Sequence, residues 1–147
     1  MHAPDEVCGY MEHLVEQLTG VLDHGLLGAY ALGGLALGDF RPGSSDIDVY
    51  VVTASKLERE ECLAVARACS HRALPCPAKR LELVVLSAAA ARSGSTPVRW
   101  ELNLNSGAGE RDHPDSTPVR SLPTGSRSTS RSPIRSPCRW SGRPHTL

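Results

Sequence analysis

Two aspartates one residue apart, Asp46-Ile47-Asp48, open an apolar run that continues Val49-Tyr50-Val51-Val52-Thr53. On a strand alternate residues share a face, so the two carboxylates point the same way with roughly 7 Å between their Cα atoms, while Ile47 and Val49 face the core. Like charges on one face of an apolar strand are costly unless a cation lies between them. A hard divalent ion such as Mg²⁺, which takes oxygen ligands and keeps phosphates in its shell, suits the pair. The plain alternative is a strand-end charge pair that reaches solvent, and for an isolated Asp-x-Asp that is the commoner outcome. Here the pair is preceded by Gly33-Gly34, at the end of the apolar run from Leu26 to Leu32. Backbone without side chains can turn sharply there and present N–H groups to an anion, although a lone diglycine is more often just a turn. A phosphate cradle next to a metal-binding carboxylate pair makes a coherent triphosphate site.

The surrounding pattern supplies elements to position these groups. Val7, Met11, Leu14, Val15, Leu18, Val21 and Leu22 recur at three- and four-residue steps, which predicts an amphipathic helix over Asp5 to His24 with Gly25 as its stop. Leu26 to Leu32 and Asp46 to Thr53 read as strands, joined by a turn-rich connection through Gly38 and Arg41-Pro42-Gly43-Ser44-Ser45. Ser55-Lys56-Leu57-Glu58 has the form of a capping box opening a second helix that runs to about His71, before Pro75 and Pro77. Leu81 to Ser87 is a third strand. Val98, Trp100, Leu102 and Leu104 alternate with Arg99, Glu101 and Asn103 as in a half-buried fourth. Trp100 in that alternation is core rather than a nucleobase platform, and His13, His24 and His71 lack ligand spacing.

The formal charge of zero over 147 residues hides two unlike pieces. Residues 1–109 carry nine basic and thirteen acidic side chains, whereas residues 110–147 carry seven Arg and three acids, so a net −4 meets a net +4. Residues 116–147 hold eight Ser, six Arg, five Pro and four Thr with few aliphatics, which predicts a disordered tail with too little apolar surface to offset ordering entropy. Arginines so diluted are weak support for a nucleic-acid arm. The longest uncharged stretch, Leu26 to Gly38, is too short and Gly-rich for a membrane span. The acidic N-terminus is unlike a targeting segment, and the expected location is cytoplasmic. Five cysteines without a C-x-x-C pair fit a reducing compartment better than a disulfide framework.

Gly33-Gly34, Gly38, Ser45, Asp46 and Asp48 follow the pattern G-[GS]-x-x-x-G…S-D-x-D, which resembles the nucleotidyltransferase superfamily typified by DNA polymerase beta. The run Gly33 to Val49 looks most like the bacterial aminoglycoside (streptomycin/spectinomycin) adenylyltransferases. The likeness extends to Leu81-Glu82-Leu83-Val84-Val85 and, more faintly, to Glu101-Leu102-Asn103-Leu104-Asn105. It covers about residues 5–109. It implies an α+β fold, a small mixed sheet with helices on one face, and transfer of AMP from ATP to a hydroxyl of an aminoglycoside-type antibiotic. By this resemblance Asp46, Asp48 and Glu82 are the catalytic carboxylates holding two Mg²⁺ ions, and Gly33, Gly34, Ser45 and Arg41 face the nucleotide. One ion would activate the acceptor hydroxyl and the other would neutralise the triphosphate. Glu82, central in an apolar strand, has an independent reason to sit near a cation. Arg41 as a loop arginine has solvated surface as its ordinary alternative.

The sequence departs from that family at three places. Gly34 stands where most relatives have Ser. Ser106 occupies the position of the family's general base, and serine is a poor base at neutral pH. The helical substrate domain has no counterpart, and the switch in composition near residue 110 has the character of a truncation or frameshift. An inactive remnant and a minimal nucleotidyltransferase of a toxin–antitoxin pair, which would bring a protein partner, are the alternative readings.

Overall fold

The computed structural model describes residues 3–94, 98–109 and 113–115. The first helix, α1 (Asp5–Leu22), buries Val7, Tyr10, Met11, Leu14, Leu18 and Leu22 along one stripe, and Asp5 and Glu6 in its first turn complement the positive end of the helix dipole. It stops two residues before the expected His24, in a 3₁₀ turn over Asp23–Gly25. The strand β1 (Leu26–Leu32) follows, then a five-residue helix α2 (Gly33–Leu37), β2 (Ile47–Thr53), α3 (Arg59–Ala68), β3 (Leu81–Ser87), α4 (Ala88–Ser93), β4 (Leu102–Ser106) and β5 (His113–Asp115).

The strands form one mixed sheet in chain order, β1 to β5. β2 and β3 are parallel, joined by α3, and the other neighbouring pairs are antiparallel. Period-two alternation divides the sheet into unlike faces. On β2, Ile47, Val49, Val51 and Thr53 are buried while Asp48, Tyr50 and Val52 are half-buried; on β4, Leu102, Leu104 and Ser106 are buried while Asn103 and Asn105 are half-buried. The apolar face joins one core with α1, α3, Leu35 of α2 and Phe40. β3 is buried on nearly every residue, and its Val84 and Leu86 belong to a second cluster on the opposite face, with Trp100, Tyr50, Val98 and Ala91 of α4. The α+β architecture with a mixed sheet is as expected, except that the helices are not confined to one face: α1 and α3 share it, and α4 packs on the other through Ala91.

Further differences are local. The helix after β2 begins at Arg59 rather than near Ser55, because its capping box is built from Glu58 and Glu61: Glu58 N–H donates to Glu61 Oε2 at 2.7 Å, and the Glu58 side chain accepts from the Glu61 N–H. Ser55 lies in the approach, where its carbonyl accepts from Thr53 Oγ1 at 2.8 Å. β4 starts at Leu102; Val98 and Trp100, expected within that strand, precede it and pack on the second cluster. The short helices α2 and α4 and the strand β5, which lies past the end of the sequence pattern at Gly109, had no clear periodic signal. Among the expected tail, residues 110–112 and 116–147 lie outside the described residues. Cys62, Cys69 and Cys76 are free and buried. Among the described residues no helix is long and apolar enough to cross a membrane.

The corrected helix start has a direct test. Glu58→Ala should lower stability by about 1 kcal/mol through loss of the cap, and Ser55→Ala should leave it within about 0.5 kcal/mol. Urea denaturation of the two variants measures both.

Candidate functional site

The partly open face of the sheet carries the chemistry. Register places Leu32 of β1 opposite Asp48 of β2, Asp48 opposite Glu82 of β3, and Glu82 opposite Asn105 of β4, one continuous row across four strands. The next row on the same face holds Tyr50, Val84 and Asn103. Together these seven side chains line a cavity of about 330 Å³. Asp46, one residue before β2, completes the acid cluster at its edge. The two predicted sites of negative charge, the Asp46/Asp48 pair and Glu82, are thus brought together by the parallel pairing of β2 with β3.

Crowding these acids perturbs them. Burial raises the pKa of Asp48 and the charge of Asp46 adds to it; burial likewise raises Glu82, reinforced by Asp48 and Asp46. Glu82 and Asp48 are hydrogen-bonded side chain to side chain, in the sense that favours the proton on Glu82 and the charge on Asp48. Tyr50 beside them is raised too, by burial first and then by the two carboxylates.

A cation does lie among the acids, and it is a residue the motif did not single out. Arg80 Nε donates to Asp46 Oδ2 at 3.0 Å and Arg80 Nη2 pairs with Glu82 Oε1 at 2.6 Å, with the guanidinium about a third exposed. The signal was present: Arg80 and Glu82 are two apart at the head of a strand, the spacing that put Asp46 and Asp48 on one face. It is legible only once β2 and β3 are known to be neighbours.

The glycines divide in role. Gly33 has φ +59°, and a Cβ built there would collide with the Asp48 carboxylate, so the backbone of Gly33 lies directly against that side chain. The diglycine does not form a bare turn but opens α2, whose N-cap Leu32 supplies no side-chain cap, leaving the first N–H groups without intrahelical acceptors beside Asp48. Gly34 has ordinary clearance, with the Asp39 carbonyl oxygen 3.5 Å from a built Cβ. Ser45 is engaged in closing its loop: its Oγ accepts from Arg41 N–H at 2.9 Å and its N–H donates to Arg41 O at 3.0 Å. Arg41 is exposed on that loop.

Ser106 is fully buried on the opposite face, where its Oγ accepts from His71 N–H at 2.7 Å. It joins β4 to the segment after α3 and does not face the acids. His71 is likewise structural, its Nδ1 accepting from Cys76 N–H at 3.0 Å. Trp100 is buried as expected, but in the second cluster and ahead of β4, not on the Leu102/Leu104 face that its alternation implied.

Whether the acids suit a divalent ion can be judged from their donors. Among the described residues no group of three or more His, Cys, Asp or Glu side chains is placed to hold a metal ion, and Arg80 pairs with both Asp46 and Glu82. The donor set fits nonetheless: the oxygens are hard, Asp46 Oδ1 is buried with no hydrogen-bond partner among the described residues, and the Asp48–Glu82 pair, joined through a hydrogen bond, would repel once both were ionised unless a cation took the proton's place. No family model and no curated protein matches the chain.

Two outcomes follow. Gly33→Ala should cost about 1–2 kcal/mol from the left-handed conformation alone, whereas Gly34→Ser should stay within about 0.5 kcal/mol, as thermal unfolding of the two variants would register. For the acids, folded-state pKa values raised above the ordinary 3.8 of Asp48 and 4.5 of Glu82 mean that the folded state holds more protons than the unfolded chain. Their contribution to stability is therefore fully present below about pH 4 and is lost as pH rises through the raised values. Asp48→Asn should consequently be stabilising relative to the parent at pH 7, by roughly 2–4 °C in Tm, with the gain shrinking toward pH 4.

Proposed function

We propose that the chain is a divalent-cation-dependent nucleotidyltransferase that moves AMP from ATP to a hydroxyl of a small aminoglycoside-type acceptor, in the manner of the family its motif resembles. The observation that carries this reading is the seating of Gly33 backbone against Asp48, with Glu82 directly across the strand pair. A glycine-opened helix start next to paired carboxylates offers N–H donors for phosphate oxygens and oxygen ligands for their counter-ion within one mouth.

In this reading Asp46, Asp48 and Glu82 hold the cation. Bound there, Mg²⁺ supplies charge neutralisation of the triphosphate and acidifies the acceptor hydroxyl. The N–H groups at the start of α2 orient the phosphates from the β1 side. Ser106 faces away, so acceptance of the hydroxyl proton falls to the carboxylates that line the cavity, whose proton affinity burial raises above the ordinary carboxylate range. Catalysis is then mainly positioning and electrostatics. A cytoplasmic location goes with the use of ATP. The hold of Arg80 on Asp46 and Glu82 favours one second reading, a catalytically silent relative whose acids are satisfied internally.

Pyrophosphate release from ATP and MgCl₂ in the presence of streptomycin or spectinomycin separates the two. The parent should exceed Asp46→Asn by about 100-fold. Equal rates in the two proteins would leave the silent reading standing and remove the catalytic one.

A further inference from the structure

The cavity has two distinct sides, set by strand order. Gly33 continues from β1 and so lies on the outer side of Asp48, while Asn105 lies on β4, beyond Glu82. The acid pair stands between them. With neighbouring strands roughly 4.8 Å apart, Asn105 is one strand from Glu82 and two from Asp48. Phosphates drawn to the glycine backbone therefore leave the asparagine side for something else.

What that side can hold follows from its lining. It presents the carboxyls of Asp48 and Glu82, the amides of Asn103 and Asn105, the ring of Tyr50 and the aliphatic Val84; Arg80 pairs with Glu82 and with Asp46 at the edge, so three carboxyls meet one guanidinium and the balance stays acidic. A second anion there would meet negative charge; an amine would be attracted. The amides are two residues apart on one face of β4, both half-buried, and Asn105 Nδ2 donates to Asn103 Oδ1 at 3.5 Å. That single long contact leaves each amide with capacity for further donors and acceptors, the complement of a ring bearing several hydroxyls. Tyr50 and Val84 form an apolar floor for the ring's C–H surface. Asparagines are depleted in strand interiors unless something there uses their polarity.

We infer that Asn103 and Asn105 are specificity-determining residues: they hold the hydroxyl and amine groups of an amine-bearing polyhydroxylated ring that lies over Tyr50 and Val84 with its reacting hydroxyl toward Asp48 and Glu82. The inference rests on the nucleotidyl-transfer reading and assigns the acceptor's half of the cavity to β4.

Calorimetric titration of the full chain in MgCl₂ tests it, with spectinomycin and streptomycin as amine-bearing probes, myo-inositol as a neutral polyol, and α,β-methylene-ATP as a nucleotide that is not transferred. Asn103→Leu and Asn105→Leu should each weaken binding of an amine-bearing probe by about tenfold, and the nucleotide's Kd should change by less than about twofold. Circular dichroism checks folding, and Asn103→Ala or Asn105→Ala replaces the leucine variant at the same position if that one does not fold. Unchanged affinity for the amine-bearing probes, or parallel weakening of the nucleotide, would overturn the assignment. So would myo-inositol binding as tightly as the amines. If the parent binds an amine-bearing probe but not the nucleotide, the nucleotidyl-transfer reading fails while the asparagine variants still decide the role of β4. A parent that binds neither antibiotic ends the assignment whatever the nucleotide does.

Discussion

The parallel pairing of β2 with β3 forces Asp48 and Glu82 side by side on a half-buried face, and much of the molecule can be understood as what makes that juxtaposition tolerable. Two carboxyls at neighbouring strand positions repel, and burial weakens the solvent screening that would soften the repulsion. Sharing a proton and accepting the guanidinium of Arg80 reduces the charge without removing it. The cluster remains acidic, with three carboxyls to one arginine, which is the residual charge a divalent ion would meet.

Stability has to come from elsewhere, and the sheet's other face provides it. Ile47, Val49, Val51, Leu81, Leu83, Val85, Leu102 and Leu104 are each fully buried against α1, α3, Leu35 and Phe40. Burying such side chains contributes on the order of 2 kcal/mol each, which sets the strands firmly enough to carry strained polar groups on the reverse side. The asymmetry is built into each strand by alternation: the residue that follows a core residue is a site residue. Asp48 lies between Ile47 and Val49, Glu82 between Leu81 and Leu83, and Asn105 between Leu104 and Ser106. A shift of one residue in register would send the carboxyls into the core, so the apolar packing and the placement of the site are one specification.

Gly33 and Arg80 show the constraint acting locally. Gly33 adopts φ +59° because the chain must leave β1 immediately beside the Asp48 carboxylate, where a side chain would collide. Arg80 gains its place because the segment entering β3 runs alongside the one entering β2, with Ile47 N–H donating to Arg80 O at 2.9 Å. That backbone bond aligns the strand heads and delivers the guanidinium to Asp46.

Short apolar runs bounded by turn residues marked β1, β2 and β3 in the sequence, because a stretch of about five to seven aliphatics is the length of a buried strand. The Asp46/Asp48 spacing likewise determined a shared face, whereas Trp100 is buried by a different contact from the one its alternation implied, on the second cluster. Glu58 took the cap from the Ser55 pattern because two carboxylates could close a reciprocal box one turn later, a choice between overlapping local signals that periodicity does not rank. The shortness of α2 and α4 left them without a period to detect. What only the tertiary structure decided is which strands are neighbours: that β2 and β3 are parallel partners and β4 lies beyond β3. Strand order made Arg80 the counter-ion and brought Asn103 and Asn105 to the acids, while β4's own alternation put Ser106 on the buried face with Leu102 and Leu104. Contacts of that kind join residues tens of positions apart, and no local spacing encodes them.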